Sequence, residues 1–184
     1  MDQPPPRGSY PAPRAPAQPG PSPLGQPRHP GQQPRMLLVL SGPPGAGKST
    51  FCTKLPAATW VSVNQDTASK TGKSGTRKQC INAAERALDA GKHVAVDRCG
   101  LSEEQRADFV ALAATRGCQV HALCFKLPAE TLMSRVRART NHPGKVEGDK
   151  GVRVVKMMMN AKGNSLPHTR EGFCEITTCV TEMA

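Results

Sequence analysis

Aromatic side chains are nearly missing from this chain: one Trp, one Tyr and four Phe in 184 residues. Base-stacking platforms are therefore scarce, and any grip on a polynucleotide must rest mainly on phosphate contacts. Acid is short as well, with 14 Asp and Glu against 25 Lys and Arg, giving a formal net charge of +11. Such an excess suits an anionic partner, nucleotide or nucleic acid. No apolar stretch approaches the ~18 residues of a membrane helix, and no secretory apolar segment opens the chain, so no membrane association is expected. The seven cysteines include no CxxC pair and no metal-ligand spacing, which argues against zinc. Their odd number and their scatter within apolar runs point to buried reduced thiols and an intracellular compartment.

Larger aliphatic side chains are absent from residues 1–35, Leu24 apart, while 12 of the 18 prolines fall there. Proline fixes φ and lacks an N–H donor, so this stretch reads as a disordered, partly polyproline II tail. Such a tail offers a surface to a protein partner that reads polyproline. It is poor in Ser, which weakens the case for an organelle transit peptide and leaves a nuclear or cytoplasmic location as the expectation. Residues 36–184 are enough for one domain around one core.

What the chain does have is Gly42-Pro43-Pro44-Gly45-Ala46-Gly47-Lys48-Ser49, which fits the phosphate-binding loop (P-loop) pattern GxxxxGK[ST] at every fixed position. The apolar run 36–40 precedes it and a short helix over 48–55 is expected after it, the context that the motif requires. Glycines let the backbone wrap around phosphates with its N–H groups pointing inward. Gly42, Pro43, Gly45, Ala46, Gly47, Lys48, Ser49 and Thr50 are therefore the expected ATP contacts. In such a loop Lys48 reaches the β- and γ-phosphates and the Ser49 hydroxyl sits on Mg²⁺.

Short, mostly non-alternating apolar runs at 36–41, 59–63, 93–97, 119–126 and 174–180 read as strands covered on both faces. Helices are expected between them at 76–90, 102–115, 128–139 and 152–161. Ser102-Glu103-Glu104-Gln105 is a capping-box pattern, Gly91 and Gly117 are stops, and Pro128 suits a first turn. The alternation predicts an α/β, P-loop kinase-like fold, a mostly parallel sheet flanked by helices. In such sheets ligands bind beyond the carboxyl ends of the strands. The P-loop, Asn64-Gln65-Asp66 and Asp97-Arg98 should therefore meet at one rim.

Asp66, at a strand end opposite the P-loop, is placed either to accept the proton of a nucleophile or to cap a turn. Asp97 closes an apolar strand, where an acid contacts Mg²⁺ or orients a substrate hydroxyl. Arg98 can pair with Asp97 or touch a substrate phosphate. Arg135 and Arg139 share a helical face, with Arg137 between them. The glycine-containing stretch 140–151 after them reads as a flap over a nucleotide, its arginines neutralising charge on the transferred group, or else as a solvated basic helix. The Met157-Met158-Met159 run reads as core or interface filling.

Residues 42–50, Val63-Asn64-Gln65-Asp66-Thr67, Val96-Asp97-Arg98-Cys99 and Glu104-Gln105-Arg106 together resemble the kinase domain of polynucleotide 5′-hydroxyl kinases. The likeness is greatest to the kinase domain of plant aprataxin-like proteins. There too the loop after the second strand is lengthened, as at 68–76, and the flap is similar to 142–151. The resemblance covers roughly residue 36 to the end of the chain. It implies ATP-dependent phosphorylation of a 5′-hydroxyl on DNA or RNA, in DNA end repair. Lys48 and Ser49 would then bind ATP and Mg²⁺, Asp66 would be the general base, Asp97 would assist metal or substrate, and Arg135 and Arg139 would clamp phosphates. No DxDG phosphatase motif, histidine triad or zinc finger accompanies it, so neither 3′-phosphatase nor adenylate-removing activity is expected. A small-molecule kinase and a non-catalytic ATP-binding module are the alternatives on the same fold.

Overall fold

Strands and helices alternate along the chain, as the apolar pattern predicts. The computed structural model describes residues 34–65 and 75–180. The tail before Pro34 and Asp66 with the stretch after it lie outside the described residues. The elements are β1 (Met36–Ser41), α1 (Lys48–Thr53), β2 (Trp60–Asn64), α2 (Arg77–Asp89), β3 (His93–Asp97), α3 (Glu103–Thr115), β4 (Gln119–Phe125), α4 (Ala129–Ala138), α5 (Gly148–Met159) and β5 (Glu175–Cys179). A 3-10 turn, Thr169–Glu171, precedes β5.

The sheet is parallel at every pairing and runs in the order β2-β3-β1-β4-β5. β1 is therefore central, with Leu38 beside Ala95 of β3 and His121 of β4. Helices cover both faces, so Val39, Leu40 and Ser41 at the end of β1 are buried in succession and no β1 residue is fully exposed. Leu37 and Val39 join Val63, Leu88 and Phe109 under α2 and α3, while Leu40 joins Phe125, Leu132, Val136 and Val155 under α1, α4 and α5.

Local chemistry sets the ends. Thr76 caps α2 reciprocally: its Oγ1 accepts from Gln79 N at 3.2 Å and Gln79 Oε1 accepts from Thr76 N at 2.7 Å. At α3 only half of the expected box forms. Ser102 Oγ accepts from Gln105 N, but Gln105 Oε1 takes the N–H of Leu101. Pro128 stands one position earlier than expected, as the N-cap of α4 in extended conformation. The 152–161 helix in fact begins at Gly148, so α5 absorbs the end of the expected flap. Gly151 lies inside it because an added Cβ would stand 3.1 Å from the Val146 carbonyl carbon and 3.3 Å from Val136 Cβ. Here a glycine brings two helices together instead of loosening a loop. The methionine run is also not core: Met157 is 64% exposed and Met159 is exposed too.

One side chain that the sequence gives no reason to bury holds the architecture together. Arg106 of α3 is 0% exposed, with Nη2 and Nε 2.7 and 2.8 Å from the Glu171 carboxylate. Its Nη1 donates to the Gly100 and Ser165 carbonyls, each at 2.9 Å. Burial alone would raise the Glu171 pKa; hydrogen bonds from Arg106 and the His168 backbone, with the Arg106 charge, outweigh it and hold the carboxyl below its usual value.

Candidate active site

The carboxyl ends of β1, β2 and β3 open into a cavity of about 300 Å³. Its floor is the P-loop, which turns from β1 into α1. Gly45 sits there at φ +85°, where an added Cβ would meet the Leu132 carbonyl oxygen at 2.7 Å. Gly45→Ala is accordingly expected to weaken nucleotide affinity at least tenfold, since strain of 1–2 kcal/mol adds to a backbone clash. Titration of ATP binding checks this, and an unchanged affinity would show that the loop can yield.

Lys48 is only 8% exposed and its Nζ donates to the carbonyls of Gly42 at 2.8 Å and Pro43 at 2.9 Å. Ser49 and Thr50 are exposed at the start of α1 and line the cavity with Gly45, Gly47 and Lys48. Gly42, Pro43 and Ala46 are not among the lining residues, whereas Pro44 is. Gly42 and Pro43 instead serve through their carbonyls on Lys48. The loop is fastened to the end of β3, with Gly42 N donating to Cys99 O at 2.8 Å and Ser41 Oγ to Gly100 O at 2.9 Å.

Opposite the loop, β2 and β3 end side by side, Asn64 in register with Asp97. Asn64 Nδ2 donates to Asp97 Oδ2 at 2.8 Å, and Asp97 is only 7% exposed. Asn64, Gln65, Asp97, Arg98 and Cys99 all line the cavity. Arg98 Nη1 is buried with no hydrogen-bond partner among the described residues. Asp66, the expected base, follows Gln65 in the chain and lies outside the described residues.

The three arginines part company, because α4 ends at Ala138 and leaves Arg139 extended, off the helical face expected for it with Arg135. Arg135 Nη1 donates to the Gly45 carbonyl at 3.3 Å, and Arg139, just past the helix, lines the cavity. Arg137 points away and pairs with Asp149 at 3.5 Å on the exposed surface. The third wall comes from His142, Gly144, Val146 and Met158. His142 is fixed from both sides: its Nδ1 accepts from Gly144 N at 3.1 Å, and its own N–H donates to Glu147 at 2.8 Å.

The donor set fits a nucleoside triphosphate. A loop whose Gly45 has no room for a Cβ, a buried ammonium and two arginines answer a polyphosphate. Among the described residues no cluster of three or more His, Cys, Asp or Glu could hold a metal alone. A hydroxyl at Ser49 and a carboxylate at Asp97 suit an ion that keeps its waters and leans on phosphate oxygens, as Mg²⁺ does. Cys52, Cys99, Cys118, Cys124 and Cys174 are in no disulfide among the described residues. Burial pushes the Cys52 thiol up to about 11 and raises Cys118 and Cys124 as well, so these three stay protonated at neutral pH.

A P-loop after the central strand of a parallel sheet, faced by polar strand ends, defines a P-loop kinase domain, and this implies ATP as its ligand. The chain belongs to the AAA domain family, whose profile matches residues 37–161. Over 151 residues it is 38% identical to "Transcription factor bHLH140" of Arabidopsis thaliana, a match covering 80% of this chain but 16% of that protein. Among solved structures, Chaetomium thermophilum Kti12 in complex with ADP-AlF3 superposes with a TM-score of 0.61 at 14% identity, covering 78% of this chain and 88% of that one. A fungal RNA kinase gives a TM-score of 0.53 at 17% identity, covering 78% and 73%. These two likenesses establish the fold. No helix among the described residues is long and apolar enough to cross a membrane.

Proposed function

We propose that residues 36–184 form a kinase that transfers the γ-phosphate of ATP to a 5′-hydroxyl end of DNA or RNA. The observation that carries this reading is the register of Asn64 with Asp97 at the cavity wall. Gln65 lines the same wall, and Asp66 follows it in the sequence. Asn64-Gln65-Asp66-Thr67 is also the segment that most resembles polynucleotide kinases.

When bound, ATP supplies the phosphoryl group and Mg²⁺ neutralises its oxygens. Lys48 holds the β- and γ-phosphates, with backbone N–H groups of the loop around them. Ser49 and Asp97 would hold the metal, with Asp97 steadied by Asn64. Asp66 takes the proton of the acceptor hydroxyl as its oxygen bonds to the γ-phosphorus and ADP leaves. Arg135 and Arg139 neutralise charge on the moving group. End repair, in the nucleus or cytoplasm, is the setting we assign, with the Pro-rich tail serving a protein partner.

One observation favours a second reading. A cavity of about 300 Å³ is at the lower end for ligand sites, which a small-molecule acceptor would also suit. The test is transfer from labelled ATP with Mg²⁺ to matched DNA and RNA oligonucleotides bearing 5′-hydroxyls. Asp66→Ala should lower transfer by about 10²–10⁴-fold while ATP affinity stays nearly intact. Equal loss of both would make Asp66 structural. Absence of label on any wild-type oligonucleotide, with ATP still bound, would transfer the assignment to a small acceptor.

A further inference from the structure

We infer that the outward face of α5 is the track along which a single-stranded acceptor runs after leaving the cavity; this rests on the polynucleotide reading above. Lys150, Arg153 and Met157 follow at spacings of three and four and so share one face of α5. All three are exposed. Met158, the next residue and about 100° further round the helix, lines the cavity. The stripe is therefore continuous with the wall of the site.

Its chemistry matches a polynucleotide. No ion pair engages Lys150, Arg153 or Lys156 among the described residues, and the one acid of the α5 surface, Asp149, is paired with Arg137. Unpaired cations beside a site keep their full charge for phosphates. Met157 and Met159 are exposed large apolar side chains in a chain with 3% aromatic residues. Bases usually stack on aromatic rings; here a polarizable, adaptable thioether is what the surface offers. Lys150 and Arg153 take phosphates, and Met157 takes the sugar and base between the track and the cavity.

The experiment compares wild type with Lys150→Ala/Arg153→Ala on a 5′-hydroxyl trinucleotide and on a long single-stranded oligonucleotide, with kcat/KM measured across a salt series. Two lost phosphate contacts reduce the single-strand salt slope by about 1.4, so between about 50 and 200 mM salt the wild type should lose about sevenfold more on the long acceptor than the variant. The trinucleotide rate, the KM for ATP and the melting temperature should not change. Met157→Ser should weaken the long acceptor without altering the slope. Equal salt slopes, or equal losses on short and long acceptors, would overturn the track and leave the kinase reading in place. A wild type that labels neither acceptor would overturn both. A variant that loses binding only to an acidic protein would assign the face to a protein partner instead.

Discussion

Lys48→Ala is expected to cut phosphoryl transfer by about 10²–10³-fold and to weaken ATP binding together with it. The ammonium is nearly buried and is aimed by two carbonyls of its own loop, 2.8 and 2.9 Å away. A charge held in a site with little water acts on phosphate oxygens more strongly than a mobile surface lysine does. Alanine removes that charge and frees the Gly42 and Pro43 carbonyls, so the loop also loses its internal tie. Lys48→Arg should not rescue it, because a planar fork cannot occupy the place of a compact ammonium between those carbonyls. Calorimetric titration with ATP and steady-state transfer rates decide the matter. Normal turnover in the alanine variant would remove the loop from the mechanism.

Arg106→Ala should be the most destabilising single change away from the loop. It leaves Glu171, whose side chain is 4% exposed, as a buried charge without its cation. Breaking such a pair costs about 3–5 kcal/mol, a drop in melting temperature on the order of 10 °C for a domain of this size. The pH dependence has a defined sign. In the wild type Glu171 has a depressed pKa, so its contribution is fully present above the ordinary carboxyl value of about 4.3 and is lost as pH falls through the lower folded value. In the variant the uncompensated carboxyl is raised, so the deficit against wild type should shrink on acidification. Arg106→Met/Glu171→Met should recover much of the loss, since well-packed apolar pairs replace buried ion pairs at little cost. Thermal melts at neutral and acid pH read all of this. A variant no less stable than wild type would mean that the Gly100 and Ser165 carbonyls find other donors.

The sheet was legible because each apolar run is short, and the first three end at or beside Gly42, Asn64 and Asp97. β1 and β3 lie where their residues put them, and β2, β4 and β5 differ by one residue at one or both ends. Capping chemistry located α2 and α3. Reading three glycines as a flap failed at Gly151, because a glycine's role depends on what packs over it, and Val136 lies twelve or more positions away in sequence. Local pattern pointed to the P-loop, Asp97 and Arg139, which line the cavity, but Arg139 leaves α4 in extended conformation instead of sharing a helical face with Arg135. That Arg137 faces outward follows from helical phase once α4 has a buried face at Leu132 and Val136. Arg106 was invisible as a structural residue: arginine is rarely buried, and its partner, Glu171, is 65 residues away. The exposed Met157 and Met159 removed only the core half of the core-or-interface reading, because hydrophobicity alone does not say which helix positions find a neighbour.

The position of β1 at the centre of the sheet also sets an order in time. Both its neighbours, β3 and β4, come later in the chain than β1 and β2, and no hairpin joins any pair. Such non-local pairing is slow and leaves strand edges open until the later segments arrive. On a ribosome, where a chain emerges from its first residue onward, the phosphate loop is complete long before its supports exist. Gly42 must wait for the carbonyl of Cys99, Ser41 must wait for that of Gly100, and Gly100 in turn must wait for Arg106. A nascent chain stopped before β3 thus carries the full nucleotide motif without the carbonyls of Cys99 and Gly100 that fasten it, so the loop gains its supports only as synthesis nears the middle of the domain.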